Sequence, residues 1–153
     1  MVTTLSGIEE LTANVGQHLG YSDWLTVDQA RVNLFADATG DHQWIHVDPE
    51  RAARESPFGG PIAHGYLTLS LIPFLAPQIY TVRGIKMAVN YGCEKVRFPA
   101  PVPVGSDVRL GAELKGVDPV GDNAIQTTVV FAVEVRDSPK PSCVAEVLFR
   151  YYT

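Results

Sequence analysis

Between Ile62 and Val82 the chain carries no Asp, Glu, Lys or Arg. Within that interval Leu67, Leu69, Leu71, Ile72, Phe74 and Leu75 fall on all sides of a helix, which predicts a helix buried on every face. Such a helix cannot stand at a surface, so the rest of the chain has to wrap it. Pro73 removes one intrahelical hydrogen bond and predicts a bend, and Pro77 marks the last turn or just beyond. The longest apolar run, from Leu67 to Ala76, is too short to span a membrane.

The wrapping material follows in sequence. Ile85 to Tyr91 and Cys93 to Phe98 read as two short strands separated by Gly92, and Pro99 to Gly105 as a rigid turn. Val108, Leu110, Ala112 and Leu114 alternate with Arg109, Gly111, Glu113 and Lys115, the period-2 pattern of a half-buried strand. Ile125 to Val135 alternates likewise after a turn at 118–123, and Val144 to Tyr151 reads as the last strand. Short connections predict a largely antiparallel sheet, and one apolar helix wrapped by a curved antiparallel sheet is an α+β architecture. Half-exposed strands and a flat sheet edge argue for a dimer. At 153 residues, without repeat or linker, residues 1–153 read as one domain.

Ahead of the apolar helix, residues 6–19 are a short helical candidate and Tyr21 to Leu25 a short strand. Thr26 to Gln29 has the form of a capping box, and Val27, Ala30, Leu34 and Ala38 predict an amphipathic helix over 27–38. It stops at Thr39-Gly40, so Asp41 to His46 reads as a loop leaving a helix end. Asp48-Pro49 starts another helix through Arg54, and Ser56 to Pro61 is a connection.

A formal net charge of −5 without a basic block excludes nucleic acid and anionic membrane surfaces as expected partners. Cys93 and Cys143 lack a second Cys or His at metal-ligand spacing, so no metal site is expected, and they read as small buried or half-buried strand residues. Glu9 and Glu10 stand where a secretory signal needs a basic start and an apolar core, which reads as a cytoplasmic protein.

Chemistry is concentrated in the loop and at the helix start. Asp41 and His46 can share one water by hydrogen bonds, one taking its proton and the other supplying one, a capability suited to adding or removing water across a double bond. No nucleophile accompanies them, so acyl transfer fits less well. Gly65 opens the apolar helix; its N–H can bind a developing oxyanion, or the glycine can simply accommodate packing, and spacing alone leaves both readings open. His64 reads as a structural residue of the helix start, and His42 and His18 as solvent-facing. Trp44 reads as an anchor of the loop to the core, with pocket lining as the other reading. Lys86, Lys95 and Arg97 read as a solvated face. There is no phosphate-cradling Gly-rich loop, serine elbow or HExxH motif.

FADATGDHQWIHVD, then PIAHGYLTLSL, then KVRFPAPVPVGSDV, resemble the MaoC-like, (R)-specific enoyl-CoA hydratases, in particular mycobacterial-type single-domain members. The likeness runs from about Gly20 to the end of the chain and rests on Gly-Asp, four residues, His, then Ala-His-Gly about twenty residues on. It implies a hot-dog fold, usually dimeric, and reversible hydration of a trans-2-enoyl thioester to the (R)-3-hydroxyacyl thioester. It further implies Asp41 and His46 as the catalytic pair, Gly65 as donor to the thioester carbonyl, and no cofactor beyond the CoA of the substrate. The chain departs from the pattern at Gln43 and Trp44, where members often have Asn-Pro, and at Pro73, where some place a Ser; these three are expected to shape the pocket. A 3-hydroxyacyl-carrier-protein dehydratase, or a non-catalytic acyl-thioester-binding or scaffold subunit, are the alternatives.

Overall fold

The computed structural model describes residues 1–153. In chain order the elements are β1 (Thr3–Ser6), α1 (Gly7–Ala13), β2 (His18–Tyr21), β3 (Leu25–Thr26), α2 (Gln29–Thr39), α3 (Trp44–Val47) and α4 (Pro49–Glu55). There follow α5 (Gly65–Ser70), α6 (Ile72–Leu75), a 3-10 turn (Ala76–Gln78), β4 (Tyr80–Arg83), β5 (Met87–Arg97), β6 (Asp107–Val120), β7 (Ala124–Val135) and β8 (Cys143–Tyr152). Strands β2, β6, β7, β8 and β5 pair in that order, all antiparallel, with β3 added beside β6. The alternation in β6 and β7 does what its period predicts: Val108, Leu110, Ala112, Leu114, Val129, Phe131 and Val133 are at most 1% exposed and share one core with Leu67, Ile72 and Leu75 of the helical rod. No helix is long and apolar enough to cross a membrane.

The rod of residues 65–78 is interrupted next to Pro73, where a bend is expected, but departs from the expectation of burial on every face. It is divided at Leu71, because Pro73 has no N–H to offer the Leu69 carbonyl, and α6 restarts with that proline in its first turn. Tyr66 is 71% and Phe74 57% exposed, so one side of the rod is left uncovered by this chain's own sheet.

Other expectations are corrected locally. The cap of α2 is Asp28, whose carboxylate accepts from Arg31 N at 2.8 Å; Thr26 belongs to β3 and donates to Asp107 Oδ1 at 2.6 Å. Two capping candidates two residues apart look alike in sequence, and the strand pairing of Thr26 decides between them. The helical reading of 6–19 splits into β1, α1 and β2, since β1 finds a parallel partner in the distant β4, Thr3 opposite Tyr80. The two segments around Gly92 are one strand, β5, bent by register shifts near Tyr91 and Glu94 without breaking. Cys143 is buried, but Cys93 is exposed on β5.

Candidate active site

Helix α2 ends as its glycine predicts. Gly40 takes the left-handed conformation at φ 82°, donates to the Ala36 carbonyl, and turns the chain into Asp41. The Asp41 carboxylate accepts from Gln43 N at 3.3 Å, and the Gln43 carbonyl in turn accepts from His46 N and Val47 N. That winds 44–47 into α3, so His46 stands on a helical turn and not in an open loop.

Three hydrogen bonds from two segments hold α3. Gln29 of α2 donates its side-chain amide to the His46 carbonyl at 2.7 Å, and Ile62 N donates to the Ile45 carbonyl at 3.0 Å. His46 Nδ1 lies 2.6 Å from the Ile62 carbonyl. A carbonyl only accepts, so Nδ1 carries the proton and Nε2 presents a lone pair. Burial pushes the His46 pKa below its ordinary value, and the neighbouring His64 pushes the same way, while the Ile62 hydrogen bond and the Asp41 carboxylate oppose them. The ring is therefore neutral near pH 7.

His64 joins this group, which a reading of it as a helix-start residue alone does not anticipate. It caps α5, is 2% exposed, and its Nε2 lies 3.0 Å from the Asp41 carbonyl. Its ring stacks on His46 at 4.0 Å between centroids and meets Phe35 at 4.9 Å on another side. A signal for it did exist: a histidine inside an otherwise uncharged interval has to find a polar partner.

One ligand-capable atom from each of Asp41, His46 and His64 lies within 4.8 Å of the others. Imidazole lone pairs lie in the ring plane, and these two rings are stacked with only 27° between planes. Their lone pairs run side by side and do not converge at the ~2.0–2.1 Å of a zinc–nitrogen bond. The trio as arranged offers a carboxylate and imidazole lone pairs for hydrogen bonding and does not fit a cation.

Immediately past His64 a cavity of about 320 Å³ is lined by Ile62, Ala63, Gly65, Thr68, Phe98 and Val102, among others. Gly65 is the first residue of α5, where helical N–H groups have no intrahelical acceptor. A Cβ at Gly65 would sit 3.1 Å from the Phe98 ring, so the glycine is also required by packing. The two readings of Gly65 are thus compatible: the absent side chain lets Phe98 cover the helix start, and the residue itself lines the cavity.

The remaining predicted residues are dispersed. Gln43 supplies main-chain caps to α3, and Trp44 lies under the Arg51 guanidinium at 4.3 Å. Pro73 lines a second, mostly apolar groove of about 340 Å³ with Leu69, Ile72, Tyr91, Val147 and Phe149. His42 is exposed and pairs with Asp37 at 2.9 Å, a partner its neighbours in sequence did not reveal. His18 is exposed and packs on Tyr21.

Among known proteins, the profile described as "MaoC like domain" matches residues 10–135. The 3-hydroxyacyl-thioester dehydratase Z of Mycobacterium tuberculosis is 59% identical over 148 residues, 97% of each chain. The (R)-hydratase from A. caviae involved in PHA biosynthesis superposes with a TM-score of 0.71 at 26% identity, covering 88% of this chain and 94% of that one. A monoamine oxidase regulatory protein from Archaeoglobus shares the fold over 100% of this chain and 98% of its own, with a TM-score of 0.82 at 24% identity.

Proposed function

The chain belongs to the MaoC-like family, and from that premise we propose that it is an (R)-specific enoyl-CoA hydratase, adding water reversibly and syn to trans-2-enoyl thioesters. The observation that carries the proposal is the convergence of Asp41 with a buried, neutral His46 whose Nε2 is left free. Asp41 and His46 hold the water. The pair takes one proton as the water oxygen bonds to C3, the C2–C3 π electrons shift toward the thioester, and one proton is returned to C2 on the same face. Charge building on the thioester oxygen is received by the Gly65 N–H, a type of contact worth roughly 3–4 kcal/mol in the transition state. No cofactor takes part beyond the CoA of the substrate, and the setting is cytoplasmic.

Loss of enoyl absorbance on crotonyl-CoA and longer chains, with chiral analysis of the product, tests this directly. An (R)-3-hydroxyacyl product is expected, and the (S) product or no turnover overturns it. A second reading is favoured by the name of the 59%-identical relative: the same site run toward dehydration, on a carrier-protein thioester. CoA and carrier-protein substrates compared in one assay separate the two.

The enzyme works as a homodimer in this proposal. Strand β5 pairs on one side only, with β8, and leaves Met87, Val89 and Tyr91 exposed. With Tyr66 and Phe74 of the rod also uncovered, a second copy offers a matching apolar cover. Light scattering at the mass of one chain would refute it.

A further inference from the structure

His64 is buried, yet it is neither an apolar filler nor the partner of a charge. Its Nε2–H is directed to the Asp41 carbonyl at 3.0 Å, and since that acceptor requires the proton on Nε2, Nδ1 keeps a lone pair. Nδ1 meets no hydrogen-bond partner and is shut away from solvent. An orphaned buried acceptor costs stability, and an apolar ring of similar size would fill the same space without that cost. The residue makes sense through what its other nitrogen and its ring do.

Asp41 leaves α2 on an exposed segment, and its carboxylate is restrained only by Gln43 N at 3.3 Å. His46, by contrast, is fixed through its ring, its carbonyl and its N–H. His64 bridges the two. Its own carbonyl accepts from Thr68 N at 3.2 Å and Thr68 Oγ1 at 3.3 Å, which anchors it to the first turn of α5. From there it reaches the Asp41 main chain through Nε2 and the His46 ring through stacking at 4.0 Å, and it is bonded in sequence to Gly65.

We propose that His64 is a positioning residue of the hydration site, tying the Asp41 main chain to the start of α5 and backing the His46 ring, so that carboxylate, imidazole and the Gly65 N–H are held in one fixed geometry. The inference rests on the hydratase reading above. The titratable groups facing His46 are Asp41, from the segment after α2, and His64, from the start of α5; the Ile62 carbonyl completes its surroundings. His64 covers one face of the His46 ring and so adds to the burial that holds its pKa down, a cover that is lost when the ring at position 64 is removed.

Two substitutions separate the contacts. His64→Phe keeps a ring against His46 and removes the donor to Asp41; His64→Gln keeps an amide donor near the Nε2 position and removes the ring. With crotonyl-CoA, His64→Phe is expected to lower kcat about 10- to 100-fold with KM nearly unchanged, as for a displaced reacting group, and His64→Gln to recover part of that loss. In His64→Gln, which uncovers the ring, the His46 midpoint, followed by imidazole 15N NMR, moves to higher pH. Wild-type kcat in His64→Phe overturns the inference, and so does an unmoved His46 midpoint in His64→Gln. So does a wild-type imidazole spectrum with the His64 proton on Nδ1, a measurement that needs no variant to fold. Absence of turnover in the wild-type enzyme removes the hydratase reading and this inference with it, whereas turnover that His64→Phe leaves untouched removes the inference alone.

Discussion

Two Asp–His pairs with the same five-residue spacing lie four residues apart, Asp37 with His42 and Asp41 with His46, and they meet opposite fates. Asp37 and His42 bond to each other at 2.9 Å in the open, with side chains 74% and 53% exposed. Asp37, by that hydrogen bond, raises the His42 pKa above its ordinary value. His46 is 7% exposed and gives its Nδ1 proton to a backbone carbonyl instead of to Asp41, and burial lowers its pKa. A pair that satisfies itself has nothing left for a third molecule. A pair whose members are held separately by main-chain groups keeps its lone pairs for a water.

The largest test of that contrast is catalytic. Asp41→Asn and His46→Gln are each expected to lower enoyl-CoA hydration by about 10²–10⁴-fold, the usual range for an acid–base group. Asp37→Asn and His42→Gln, changed in the same way at the same spacing, should leave kcat/KM within about twofold. Equal losses from both pairs would erase the distinction. A smaller loss is expected from Gly65→Ala: the added Cβ meets Phe98 at 3.1 Å, so either that ring or the helix start must shift, and activity should drop while Phe98→Leu relieves part of it.

The smallest effects carry opposite signs. His42 has a raised pKa in the folded chain, so its pairing contributes stability that is complete below about pH 6.5 and disappears as the pH rises through the folded value. His46 has a lowered one, so its contribution is complete above about pH 6.5 and is lost as the pH falls toward the folded value. Melting curves across pH 5–8 (roughly the histidine range) should therefore lose their acid-side slope in His46→Gln and their alkaline-side slope in His42→Gln. NMR titration of the two imidazoles should place their midpoints on opposite sides of the ordinary value.

Much of this was legible in residues alone. The alternation of Val108 to Leu114 and of Ile125 to Val135 depends on neighbours along one strand, and the burial of those residues follows it. The end of α2 at Gly40 and the start of α4 at Asp48-Pro49 are likewise local, since cap and proline act within one turn. The spacing from Asp41 to His46 marked the site, but so would the spacing from Asp37 to His42, and only the likeness to a family set them apart. What neighbours in sequence could not reveal was the stack of His64 on His46, the Gln29 bond to the His46 carbonyl, or Phe98 over Gly65.

Those contacts join residues 17 to 33 positions apart, and each depends on where a whole element comes to rest. Period, caps and turns are decided by a residue and its nearest neighbours, so this chain's strands, its apolar rod and its candidate acid–base loop can be read in order. Burial, tautomer and proton affinity depend on which groups the packing brings within a few ångströms. That is why the same Asp–His spacing makes a solvent-exposed, self-paired couple at one position and, at the next, a pair whose histidine is buried and bonded to the main chain.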